Sequence, residues 1–315
     1  MTKGAEIAAR LDLAGAGLED TDVRLDEPMA RHTTNRLGGP ADVFVRPGTE
    51  RDLAVLLARA HGTGVPVTFV GSGTNLLVRD GGIRGLVVNL GRMRRVERPD
   101  PDGRPGHVFA EAGASTGRVL ARCRSWGLSG VEFLAGVPGS MGGGVVMNAG
   151  TFLGEFRDVV TRVTSLTLDG RRVVRPAAAC GFRYRGSDLP PDEVVVSMDL
   201  DLAPADTATI DAAVERLRSH RRAREPQGVP NNGSTFKNPP GDHAGRLIEA
   251  AGLKGLRVGG AVVSPVHANW LVVDPDAGRP CTATDMIALI ERVRDEVAAR
   301  FGVTLELEVR VLGED

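Results

Sequence analysis

Two glycine-rich segments, each set beside an apolar run, constrain this chain more than any other feature. The first, Gly71-Ser72-Gly73-Thr74-Asn75, follows the apolar run Val67–Val70. The second passes through Gly136, Pro138, Gly139, Ser140, Gly142, Gly143 and Gly144. Glycine lets successive backbone N–H groups converge on an anion and removes the Cβ that would hold a phosphate away. Ser72, Thr74 and Ser140 add hydroxyl donors. The first loop has no G-K-[ST] ending, and Leu76 stands where the third glycine of a dinucleotide fingerprint belongs. Tight turns in a glycine-rich chain, 41 of 315 residues, are the competing explanation. Two such loops together favour a pyrophosphate-bearing cofactor held outside a Rossmann frame.

Charge and cysteine content narrow the class. With 39 basic against 40 acidic residues, nothing suggests nucleic-acid binding through bulk charge. Only Lys3, Lys237 and Lys254 are lysines, and that arginine bias is read as a coding-sequence effect. Cys123, Cys180 and Cys281 are scattered, with no C-x-x-C pair to suggest zinc or a disulfide framework. The acidic N-terminal stretch lacks the apolar core of a signal peptide. Residues 133–154 carry no charge, but seven glycines and a proline suit neither a helix nor a membrane span. A cytoplasmic protein without a membrane anchor or an obligate protein partner is expected.

Along the chain, short strands and helices alternate. The first twenty residues read as a loosely attached helix. A strand is expected at 41–46, then a helix opened by Thr49 with Asp52 in capping-box position and stopped by Gly62 and Gly64. Further strands are expected at 67–70, 86–90, 160–168, 171–175 and 194–202, with a hairpin turn at Asp169-Gly170. Helices are expected at 115–126, 210–224, 244–251 and 284–301, and apolar strands at 258–263 and 270–274. The last strand, 304–312, alternates apolar and charged residues and puts Glu306, Glu308 and Arg310 on one face. A composition shift at 203–208 marks the expected domain boundary.

The ordered motifs then become informative. HTTNRLGGPA at 32–41, GSGTNLLV at 71–78 and DGGIRGLVV at 80–88 resemble the flavin domain of the vanillyl-alcohol-oxidase/p-cresol methylhydroxylase type. GVEFLAGVPGSMGG at 130–143, MNAG at 147–150, Tyr184-Arg185-Gly186-Ser187, GSTFKNP at 233–239, AGRLIEAAGLKG at 244–255 and Glu308-Val309-Arg310 resemble the UDP-N-acetylenolpyruvoylglucosamine reductases. Tyr184 is the sole tyrosine, so the match is to the branch lacking an extra tyrosine loop.

That resemblance implies an α+β fold with a two-part FAD-binding domain at 31–203, preceded by an extension at 1–30 and followed by an α+β substrate domain at 204–315. It implies non-covalent FAD, NADPH as co-substrate and a UDP-sugar substrate whose enolpyruvyl ether is reduced to a lactyl ether for peptidoglycan. Arg185 would hold the substrate carboxylate, Ser234 would donate the proton and Glu308 would stabilise the enol. Flavin contacts are expected from Gly71, Ser72, Gly73, Thr74, Asn75 and Leu76, and from Gly136, Pro138, Gly139, Ser140, Gly142, Gly143, Asn148, Ala149 and Gly150. Tyr184, Lys237 and Asn238 are the expected substrate contacts. His267 and Asn269 fit a family segment, with a satisfied core histidine as the rival explanation. Segment 224–230 deviates, and no site residue is carried from it. Another flavin oxidase of this fold, or a sugar-nucleotide sensor, are the alternatives.

Overall fold

A computed structural model describes residues 1–315 and shows an α+β chain that packs into two compact units. One comprises residues 1–26, 42–72 and 85–220, the other residues 27–41, 73–84 and 221–315. The packing therefore divides the chain after His220, not at 203–208. The physical reason is the helix over Thr207–Arg224, whose apolar residues join the first core.

The first unit opens with α1, Lys3–Arg10, capped by the Thr2 hydroxyl. It is not loosely attached. Leu11, at its end, is fully buried in the core, and Gly4 lies so close to the Asp42 carbonyl that a Cβ would stand 2.3 Å from it. A four-stranded sheet follows in the order Thr21–Pro28, Pro40–Pro47, Ile83–Asn89, Val67–Val70, with the last two parallel.

α2, Glu50–Thr63, buries Leu53, Leu56, Leu57 and Ala60 on one face. Thr49 caps it by accepting from Asp52 N, and Gly64 closes it in the left-handed region at φ 65°. Gly62 is inside the helix and stops nothing. The expected reciprocal half of the capping box is absent as well. The Asp52 carboxylate instead accepts from Glu19 N, Asp20 N and the Thr21 hydroxyl, which ties residues 19–21 to the helix.

A five-stranded antiparallel sheet is the larger layer of this unit, in the order Arg172–Pro176, Val160–Thr167, Glu193–Asp201, His107–Glu111, Val96–Glu97. α3, Thr116–Ser125, and a six-residue α4, Met141–Val146, complete it with α5, Thr207–Arg224. α4 corrects the expectation that 133–154 is too glycine-rich for helix. Its Met141 and Gly142 amides donate to Ala114 and Ala112 carbonyls, so tertiary bonds offset the poor propensity. Ile210, Val214 and Leu217 of α5 bury into the same core.

The second unit is built on a three-stranded antiparallel sheet, Arg257–Val258, Ala261–Val263 and Leu271–Val273. The expected single strand at 258–263 is thus a hairpin bent at Gly259-Gly260. α6, Ala244–Ala250, and α7, Ala283–Phe301, belong to the same unit. α7 buries Met286, Leu289, Ile290, Val293 and Val297, each worth about 1.5–3 kcal/mol on full burial. Its N-terminus carries a true capping box from Thr282 and Asp285, and Asp80 adds bonds to Ala283 N and Thr284 N. The expected strand at 304–312 contracts to Arg310–Leu312, which pairs in parallel with Leu76–Val78.

Candidate active site

The two glycine loops converge in the first unit. A Cβ on Gly71 would stand 2.7 Å from the Ser140 hydroxyl, so bare backbone is what lets the segments meet. Asn89 Nδ2 fixes this arrangement by donating to Gly71 O at 2.8 Å. Ser140 opens α4 without capping it through its side chain, while Gly71, Ser72, Gly136, Pro138 and Gly143 are exposed. This cradle, which a Cβ would fill, fits a dinucleotide such as FAD. Gly142 differs: its amide is spent on Ala112 O, and its own Cβ would strike Ala112.

The remainder of the first loop belongs to the second unit. Gly73 adopts φ 68° with the His32 carbonyl where a Cβ would be, at 1.9 Å. Thr34 donates to the carbonyls of Gly73 and Asn231. Asn75 reaches the C-terminal segment: Nδ2 donates to Glu308 O at 2.8 Å, and its own carbonyl accepts from Arg310 N.

Ser234 and Glu308 are brought together by their backbones. Asn231 Oδ1 accepts from Gly233 N, and Gly233 at φ 76° turns the chain into Ser234. Glu308 N then donates to Thr235 O, one residue beyond Ser234, at 2.9 Å. Lys237 N donates to Glu306 O, so the two segments run side by side. The alternation expected here is uneven: Leu305 and Val309 are buried and Glu306 is exposed, while Leu307 and Glu308 are both half-buried. Glu306 pairs instead with Lys237 Nζ at 3.3 Å. The geometry therefore separates the two acids that periodicity could not.

Asn269 does more here than the sequence suggested. It is 4% exposed, and its amide accepts from Phe236 N at 3.0 Å and donates to Phe236 O at 2.8 Å. Its own carbonyl accepts from Thr235 N. His267 is a satisfied half-buried histidine: Nδ1 accepts from Asn269 N, while burial and then Lys254 hold its pKa below the usual value. Asn232, missed in the sequence, donates from a buried amide to Leu76 O. Asn238 Oδ1 accepts from Ala244 N and so caps α6, although the side chain is exposed.

Arg185 lies in the first unit, on a tight turn closed by reciprocal backbone bonds between Arg183 and Gly186. It sits at φ 53°, which costs an L-residue about 1–2 kcal/mol. Its guanidinium lies 5.0 Å from the centre of the half-exposed Tyr184 ring and donates to Gly150 O at 3.0 Å. Asp188 forms an ion pair with Arg183, and this stretch is irregular rather than a strand. Asn148, expected at the flavin, is fully buried with its amide held between Arg157 N and Arg183 O.

A model of the UDP-N-acetylenolpyruvoylglucosamine reductase C-terminal domain matches residues 225–312, and one of an FAD binding domain matches residues 41–174. A UDP-N-acetylenolpyruvoylglucosamine reductase of Anaeromyxobacter dehalogenans strain 2CP-C is 48% identical, over 92% of this chain and 85% of its own length. That of Geobacter sulfurreducens is 42% identical over 98% of this chain and 99% of its own. The crystal structure of the Thermus caldophilus reductase superposes with a TM-score of 0.77 at 33% identity, covering 93% and 99% of the two chains. Berberine bridge enzyme, at 13% identity and TM-score 0.50 over 66% of this chain, shares the fold alone. The α+β flavoprotein fold expected from the motifs holds, and relatives this similar over nearly the whole chain make it a member of the UDP-N-acetylenolpyruvoylglucosamine reductase family.

Proposed function

We propose that this protein reduces the enolpyruvyl ether of UDP-N-acetylenolpyruvoylglucosamine to the lactyl ether of UDP-N-acetylmuramate, with NADPH as reductant, in peptidoglycan precursor synthesis. One observation carries the assignment of roles: Glu308 is bonded through its backbone to Thr235, beside Ser234, and to Asn75 of the glycine loop. Three segments far apart in sequence thus meet around the proposed acid pair.

Gly71, Ser72, Gly136, Gly139 and Ser140 would hold FAD, which when bound supplies hydride chemistry. The rest falls to side chains. Reduction of a carboxylate-conjugated double bond places a hydride on the terminal carbon and builds negative charge toward the carboxylate. Arg185, a permanent planar cation, would pair with that carboxylate and stabilise the enolate. Ser234 Oγ would give its proton to the inner carbon and recover one from solvent. Glu308, protonated or strongly hydrogen-bonded, would stabilise the enol, since a bare carboxylate would repel it. Lys237 and Tyr184 are the substrate contacts in this reading, and Lys237 would first leave Glu306.

No helix of the chain is long and apolar enough to cross a membrane. Work in the cytoplasm is part of the same proposal. The deciding experiment is NADPH oxidation by the flavin-loaded protein with and without the enolpyruvyl UDP-sugar. Sugar-dependent consumption yielding UDP-N-acetylmuramate is expected. Consumption indifferent to the sugar would favour an oxidase or flavin reductase, and bound flavin without turnover a sensor.

A further inference from the structure

We infer that Asn148 is a positioning residue for Arg185, acting with Ser187. The turn at 183–186 is fastened to the segment 146–150 on both sides. Asn148 Nδ2 donates to Arg183 O at 3.1 Å before the turn, and the Ser187 hydroxyl donates to Val146 O at 2.7 Å after it. Between them, the Arg185 guanidinium donates to Gly150 O. A third bond, from Arg157 N to Asn148 Oδ1 at 2.9 Å, fixes the amide itself. Asn148 and Arg185 both adopt positive φ, 43° and 53°. Asparagine tolerates this region better than most L-residues, but arginine does not, so at Arg185 it persists only where surrounding bonds over-determine it.

The segment that anchors the turn continues directly from the second glycine loop. Asn148 is therefore the physical link between that loop and the guanidinium. With both amide groups bonded to protein, its side chain has no part in holding the cofactor. Its task is to set where the Arg185 guanidinium points.

This inference rests on the reading of Arg185 as the carboxylate-binding group, and the test keeps the two apart. Asn148→Gly removes the amide while tolerating the positive φ, and Ser187→Ala removes the second fastening through a small change. Both are made in the flavin-loaded enzyme, alone and combined with Arg185→Ala. The expected result is a fall in kcat/KM for the enolpyruvyl UDP-sugar of roughly ten- to a hundredfold, the scale of a misplacement near 1 Å. Flavin content and inhibition by UDP-N-acetylglucosamine, which lacks the carboxylate, stay unchanged. In the Arg185→Ala background the same changes add nothing, because their effect passes through that side chain.

Loss of flavin from Asn148→Gly, a full additive loss on Arg185→Ala, or undiminished turnover in both single variants would each overturn the inference. If Asn148→Gly does not fold, Ser187→Ala with the same cycle decides it. Full activity of Arg185→Ala alone would instead sink the reading of Arg185, and this inference with it.

Discussion

Asn269→Ala isolates the bonds that hold the Ser234 segment in place. The side chain makes two hydrogen bonds to the same residue, to Phe236 N at 3.0 Å and from Nδ2 to Phe236 O at 2.8 Å. Phe236 is 1% exposed, so neither backbone group can turn to bulk water once the amide is gone. A buried group left unsatisfied costs about 1–3 kcal/mol, which for two groups gives about 2–6 kcal/mol. Taking about 3 kcal/mol and an m-value near 3 kcal/mol/M, the urea midpoint should fall by about 1 M. Tryptophan fluorescence reads this well, since Trp270 is the next residue. Asn238→Ala is the control: it loses one bond from an exposed cap, and about 1 kcal/mol or less is expected. A shift below about 0.5 kcal/mol for Asn269→Ala would refute the reasoning, because it would mean that the backbone of Phe236 is satisfied some other way.

Three further outcomes follow from the geometry. Glu306→Ala breaks only an exposed pair with Lys237, worth under about 1 kcal/mol, and should leave kcat within about twofold, while Glu308→Ala should cut it by about two orders of magnitude or more; equal effects would cancel the distinction drawn between the two acids. Asp199 is held below the ordinary carboxylate range: burial pushes it up, but bonds from Arg162 at 2.8 Å and His107 at 2.7 Å outweigh that. Its contribution to stability is therefore complete above pH about 4 and lost as pH falls through the lower folded value, and Arg162→Ala should move acid unfolding, followed by near-UV circular dichroism, to higher pH. The Cys123 thiol is pushed up to about 12 by burial and then by the charge of Glu132, so it should resist alkylation at pH 8 until the chain unfolds, as peptide mass mapping would show.

Legibility in the sequence followed the range of the forces involved. α2, α3 and α7 were readable because their stability comes from apolar residues at helical spacing and from caps one turn away, as with Thr49, Ser115 and Thr282. The segment 304–309 was misread because Leu305, Leu307 and Val309 alternate like a strand. Its partners are single backbone groups of Thr235 and Lys237, and the run that would continue a ladder starts only at Arg310. α4 was missed for the opposite reason: its sequence is wrong for a helix, and bonds to Ala112 and Ala114 hold it.

The asparagines show where sequence reading stops. Asn148, Asn232 and Asn269 each satisfy backbone groups far along the chain, at Arg183, Leu76 and Phe236. A side-chain amide can serve any carbonyl or N–H within reach, so its partner leaves no periodic mark. Asn148 and Asn238 sit in motifs that suggest ligand contacts, yet one amide is spent on a turn and the other on a helix terminus. Motifs identify residue types that the chemistry needs, because hydride reduction of an unsaturated acid requires a cation, a proton donor and an acid whatever the fold. They do not separate the groups that meet substrate from those that hold the first group still. Arg185 makes the difference concrete: its charge was legible from its motif, whereas its positive φ and the bonds that sustain it became visible only once the segment at 146–150 was folded against its turn.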